Sequence, residues 1–208
     1  MTSNNTFVPL SDVERDALAE IANVAMGRAA TSLRLLVHNE VILTVPSIEI
    51  LLDRDAATVI TRSDQSLLIA VHEDFRGLFS GRALLIFPEK NSLELVRAIV
   101  GRDMPLDEVA ELEIEAIQET GNIVLNSWIS TLANLLKHNL MMSVPQVIRG
   151  DGSVIFQTTE EKFVLFLHIN FAIRETRISG YLALLMDLPS MEALRALIAD
   201  FVASFEKK

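Results

Sequence analysis

Two polar stripes stand out in a chain that is half hydrophobic. Asp16, Glu20, Asn23 and Gly27 fall at i, i+4, i+7 and i+11, and Glu115, Glu119, Asn122 and Asn126 repeat that spacing. Residues so spaced share one face of an α-helix. A carboxylate and an amide one turn apart are tools for holding other groups in place. The carboxylate pairs with a cation, and the amide offers two donors and an acceptor. The remaining sequence supplies no covalent alternative: it has no cysteine and no evident Ser–His–Asp set. Its histidines, His38, His72, His138 and His168, are scattered without ligand spacing, which argues against a zinc site.

Taken one helix at a time, a polar stripe is most often a solvated face. Two features weigh against that here. Solvated faces mix Lys and Arg with Glu, and asparagine is a poor helix-interior residue. Yet the Asn recurs at the same place in both stripes.

The elements that carry the stripes are also written twice. Residues 20–47 lie over residues 119–146 without a gap at an offset of 99. Glu20 then meets Glu119, Asn23 meets Asn122, Leu33 meets Leu132 and Val45-Pro46 meets Val144-Pro145. The same offset puts Ser80-Gly81 on Ser179-Gly180. So long a period implies a duplicated half-domain rather than a solenoid unit. The first half opens with a helix over 12–37, where Ser11 and Glu14 make a capping-box signature. The second opens with a helix over 106–136, for which Asp107 is the expected N-cap. Helical spacing puts Val13, Ala17, Ile21, Val24, Ala25 and Leu33 in the core from the first helix. From the second it selects Val109, Ile114, Ile117, Ile123, Leu132 and Leu135.

Strand-like segments follow at 41–45, 48–52, 57–61, 67–72 and 83–87, then at 141–148, 154–157, 163–171 and 178–186. Asp151-Gly152 reads as a turn between two of them. Short helices close the halves at 92–100 and 190–205. The expected fold is α+β: an internally duplicated, mixed or antiparallel sheet with helices on one face, two of them long and related by a pseudo-twofold axis. The whole chain forms one domain of two halves, about 10–101 and 106–206, with a short joint over 101–107.

The pattern Asp/Ser-x3-Glu-x2-Asn-x22-Pro resembles that of the CheC/CheX/FliY phosphatases of chemotaxis. Asp16, Glu20, Asn23 and Pro46 match at every spacing. Glu119, Asn122 and Pro145 match in the second half, where Glu115 stands in place of Asp or Ser. The resemblance covers nearly the whole chain, and the layout of two motifs in two halves is similar to CheC. It implies hydrolysis of the aspartyl phosphate of a CheY-like response regulator. In that role Asn23 and Asn122 hold the attacking water, and Glu20 and Glu119 pair with the regulator's lysine. Asp16 and Glu115 sit at the interface edge. The resemblance also implies that magnesium comes with the regulator, so no cofactor or metal is expected on this chain. A CheD-like deamidase is implied as a possible second partner. The rival expectation is a non-catalytic adaptor of the flagellar-switch or CheD-regulating type. Pro46 and Pro145 read as turn-shaping residues, and Trp128 as a core or interface anchor.

Composition narrows the partners. The net charge is −10 and the pI about 4.9, a poor match to a nucleic-acid backbone. There is no polybasic stretch for an anionic membrane. Residues 1–9 lack signal-peptide order, and no apolar run approaches the roughly 20 residues of a bilayer span. A cytoplasmic monomer is the expectation.

Overall fold

The computed structural model describes residues 10–63, 67–100, 105–157, 162–173 and 176–206. Its elements run α1 (Asp12–Val37), β1 (Val41–Leu52), α2 (Asp53–Ser63), β2 (Leu68–Arg76), β3 (Gly81–Pro88), α3 (Glu89–Val100) and α4 (Leu106–Leu135). There follow β4 (Met141–Met142), β5 (Gln146–Gly150), α5 (Gly152–Phe156), β6 (Phe163–Ile173), β7 (Thr176–Met186) and α6 (Leu188–Glu206). The described strands form one antiparallel seven-stranded sheet in the order β1-β6-β7-β3-β2-β4, with β5 also paired to β2. The fold is thus mixed α+β, as the sequence indicates.

The order has a simple geometry. Under the 99-residue offset β1 corresponds to β5, β2 to β6 and β3 to β7, and these counterparts sit at mirrored places about the β7–β3 pairing. Strand β1 therefore pairs with β6 from the other half of the sequence, and β5 pairs with β2. Neither half has a sheet of its own, which accounts for the short joint between them.

The strands are buried on both faces. Side chains of one parity, including Ile69, Val71, Phe75, Leu85, Phe87, Leu167 and Phe171, meet α1, α3, α4 and α6 in the main core. The other parity, including Leu68, Ala70, Leu84, Ile86, Val164 and Ala183, packs against Ala56 and Ile60 of α2 and Ile155 and Phe156 of α5. Burial of a large side chain such as Phe87 or Phe171 contributes about 2 kcal/mol or more. That sum, spread over both faces, anchors the long helices, including α4, whose N-cap position Pro105 makes no side-chain cap bond.

Several expectations are corrected. Residues 57–61 are helical, not a strand: β-branched Thr58, Val59, Ile60 and Thr61 suggest extension, but Ala56 and Ile60 are one turn apart and bury together. Acidic Asp53 and Asp55 in that helix's first turn complement its dipole. Residues 154–157 are no strand either. Asp151 caps α5, its carboxylate accepting from the Ser153 and Val154 N–H groups at 2.9 and 3.0 Å, so Asp151-Gly152 starts a helix rather than a hairpin. These misread segments form the second helical layer, so helices cover both faces of the sheet. Helix α4 has Pro105, not Asp107, at its N-cap position.

The two Val-Pro pairs mark matched irregularities in edge strands. The β1–β6 register shifts between Thr44 and Ser47, and the segment expected as one strand over 141–148 breaks into β4 and β5 around Pro145. Proline has no N–H for a ladder, so it is tolerated where pairing is interrupted. Both long helices also end in the left-handed region at matched residues, His38 (φ 51°) and Lys137 (φ 57°).

Candidate functional site

Helix α1 is set by its first turn. The Ser11 hydroxyl accepts from the Glu14 N–H at 3.2 Å while Glu14 accepts from the Ser11 N–H at 2.7 Å. Glu14 also pairs with Arg195 of α6 at 3.4 Å. Burial pushes its carboxyl up, but the Ser11 hydrogen bonds and the Arg195 guanidinium together overcome this and hold it below the usual value. Leu18, Ile21, Ala22, Ala25, Met26, Ala29 and Leu33 then bury one stripe of the helix. That leaves Asp16, Glu20, Asn23 and Gly27 exposed together. Among the described residues, none of the Asp16, Glu20 and Asn23 side chains has a hydrogen-bond partner. A Cβ at Gly27 would meet nothing within 4 Å, so this glycine faces open space rather than packing on the sheet.

Helix α4 is seated more deeply. Buried Glu113 accepts from Ser92 of α3 and from Arg149 of β5, which ties three elements together. At Gly121 a Cβ would lie 2.4 Å from the Cβ of Val71, so the helix backbone rests directly on β2. Trp128 is fully buried, a core anchor. Glu115 and Glu119 are exposed, whereas Asn122 and Asn126 are half-buried. Asn126 Nδ2 donates to Asn122 Oδ1 at 2.6 Å and to the Asn122 carbonyl at 2.9 Å.

The structure therefore brings each expected Glu/Asn pair onto one helix face, and it gives the two pairs separate places. Helix α1 flanks β1, while α4 lies over β2 and β3. The helices also touch each other, and there Arg28 donates to Thr131 at 3.3 Å.

Two grooves run along the first stripe and share Asp16. One, of about 590 Å³, runs between α1 and β1 past Arg15, Asp16, Ala19, Pro46 and Glu49. In the second half its counterpart is bridged: Gln118, which stands at the place of Ala19, donates to the Pro145 carbonyl at 3.4 Å. The other groove, of about 540 Å³, is lined by Val13, Ala17, Glu20, Val24, Leu135 and Phe201. Val13 and Val24 were expected in the core but are 56% and 39% exposed, and Ile114 of α4 is 44% exposed. Their stripe adjoins the buried one, and periodicity alone does not say how wide a face the sheet covers.

Sequence spacing gave no sign of the Asn126–Asn122 bond or the Gln118 bridge, because both depend on side-chain rotamers. It also missed Glu73 of β2. This carboxylate is fully buried on the Val71 side of the strand, and neither oxygen has a partner. Burial pushes its pKa up to about 7. Among the described residues no group of acidic or histidine side chains is placed to hold a metal, and no helix is long and apolar enough to cross a membrane.

Residues 68–168 match the family described as chemotaxis phosphatase CheX, a stretch that includes Glu119 and Asn122. The flagellar motor switch phosphatase FliY of Bacillus subtilis (strain 168) is 28% identical over 160 residues, 74% of this chain. This chain spans only 38% of that FliY. The CheY-P phosphatase CheC of the same organism is 24% identical over 199 residues, 90% of this chain and 95% of CheC. The crystal structure of Thermotoga maritima FliY shares the fold, with a TM-score of 0.72 at 20% identity over 92% of this chain and 98% of that one. The chain is thus similar to chemotaxis phosphatases of the CheX, FliY and CheC kinds.

Proposed function

We infer that this protein hydrolyses the aspartyl phosphate of a CheY-like response regulator, using one site on each long helix. The observation that carries this reading is the presentation of Glu20 with Asn23, and of Glu119 with Asn122. Each pair projects from a helix whose opposite side is fixed in the core. Glu and Asn are separated by about 4.5 Å along the helix axis, so both enter one pocket of a docked partner.

The reaction asks little covalent work of this chain. A water attacks phosphorus in line with the aspartyl oxygen, the P–O bond to the regulator breaks, and inorganic phosphate leaves with the carboxylate restored. The regulator contributes its own magnesium and lysine, which take up charge on the phosphoryl group. Asn23 or Asn122 holds the water by accepting one of its protons in a hydrogen bond and orienting its lone pair at phosphorus. Glu20 or Glu119 pairs with the regulator's lysine and fixes the docked helix. Asp16 and Glu115, one turn earlier, contact the partner at the rim. The protein acts in the cytoplasm with its substrate, and its two halves, related by the 99-residue offset, each contribute one site.

The test is phosphate release from a magnesium-loaded, phosphorylated CheY-type regulator with this protein in catalytic amount. Faster loss than the regulator shows alone is expected. No acceleration with any regulator of the same cell contradicts the reading and favours the adaptor role.

A further inference from the structure

The two sites differ at one position that alters the catalytic amide itself. Position 27 follows Asn23 by one helical turn, and it is a glycine in open space. Position 126 follows Asn122 by the same turn, and it is an asparagine whose Nδ2 holds Asn122 Oδ1 at 2.6 Å. The same Nδ2 donates to the Asn122 carbonyl at 2.9 Å, so the Asn126 side chain is fixed at both contacts.

That geometry has a chemical consequence. Helical side chains lean toward the helix N-terminus, so Asn122 left to itself would extend toward Glu119 and the partner. Asn126 instead holds its oxygen from the C-terminal side. The oxygen is the acceptor that the water-holding role requires, and one of its two lone-pair directions is already occupied. We propose that Asn126 is a positioning residue that parks Asn122 against α4, so that the second site works more slowly than the first until this bond is broken. The proposal rests on the phosphatase reading. A second, independent difference agrees with it: the groove open beside Asp16 and Pro46 is bridged in the second half by Gln118 and Pro145.

Breaking one amide–amide hydrogen bond is a modest requirement, which sets the scale at about three- to tenfold in rate. The test uses full-length protein in which one site is silenced. In an Asn23→Ala background, where only the second site remains, Asn126→Ala is expected to raise kcat/KM for phosphate release by that factor. In an Asn122→Ala background, Gly27→Asn is expected to lower the first site's kcat/KM by a similar factor. Alanine at 126 preserves helix propensity, and position 27 has room for a side chain, so neither change threatens the fold. Merely structural roles would not produce opposite, matched effects. Nitrogen-15 NMR of the protein alone supplies a second readout: Asn126→Ala should shift the Asn122 side-chain amide and leave that of Asn23 in place.

If wild type accelerates phosphate loss but Asn126→Ala leaves the second site unchanged or slower, the parking role is overturned and the phosphatase reading stands. If the Asn122 amide does not respond to Asn126→Ala, the bond is absent in solution and the proposal is overturned. If wild type never accelerates phosphate loss, the phosphatase reading falls and this inference falls with it.

Discussion

Helices α1 and α4 present the same Glu/Asn pair at the same spacing, yet their surroundings differ. On α1 the pair is exposed, two grooves meet one turn away at Asp16, and Gly27 stands open behind Asn23. On α4 the equivalent Asn is bonded to Asn126, the groove is bridged by Gln118, and the helix presses directly on β2 at Gly121. Buried, unpaired Glu73 lies on that same face of β2, and its counterpart at the 99-residue offset is Ala172. Matching motifs on matching helices therefore sit in unequal surroundings. The difference lies in the layer just behind the motif, where the first helix is lean and the second is crowded.

The largest expected effect concerns what lies under α4. Glu73 keeps its proton in the folded protein to about pH 7, whereas the unfolded chain releases it near 4.5. Stability thus falls as pH rises through that window and levels off above it. At 1.36 kcal/mol per pH unit the interval bounds the penalty at about 3 kcal/mol. Thermal melts of Glu73→Gln should gain on wild type at pH 8 and show little gain at pH 4.5. A difference independent of pH would remove the buried carboxylate from the account.

Next comes Gly121→Ala. The added methyl group has no room against Val71, so the substitution should cost about 1–3 kcal/mol by denaturant unfolding. It should also depress the second site more than the first, read as phosphate release in Asn23→Ala and Asn122→Ala backgrounds. Equal loss at both sites would mean that α4 does not act as a local support.

Ranking the asparagines is a finer test. Asn23→Ala should lower total phosphate release about fivefold, and Asn122→Ala by less than twofold, as the bond to Asn126 predicts. The reverse order would contradict the view that the open site is the faster one. The smallest effect is at the matched helix ends. His38→Gly and Lys137→Gly each relieve a left-handed backbone and should stabilise by about 0.5–1 kcal/mol in equilibrium unfolding, by similar amounts.

The sequence made the site legible to a useful extent, for a physical reason. Helical period and capping are local, so α1 was bounded correctly by Ser11 and Glu14 at one end and Val37 at the other. Placing Glu20 with Asn23 on one face needs only that helix. Segments 57–61 and 154–157 failed because short apolar runs satisfy strand and helix alike. Their state was decided by Asp53 and Asp151 at the starts and by the second core they cover. The burial of Val13 and Val24 failed because it depends on how far the sheet and α6 extend across α1. The bond from Asn126 to Asn122 was beyond reach for a similar reason: residue order puts two amides one turn apart, but only packing settles whether they meet.

The central claim is that the Asn of the Glu/Asn pair on each long helix drives loss of the regulator's phosphate. The most direct measurement is phosphate release from a phosphorylated CheY-type regulator by the Asn23→Ala/Asn122→Ala double variant, with circular dichroism showing that it folds like wild type. The account predicts that wild type accelerates release and that the double variant falls by about a hundredfold, toward the regulator's own rate. A folded double variant that still works at the wild-type rate would contradict it.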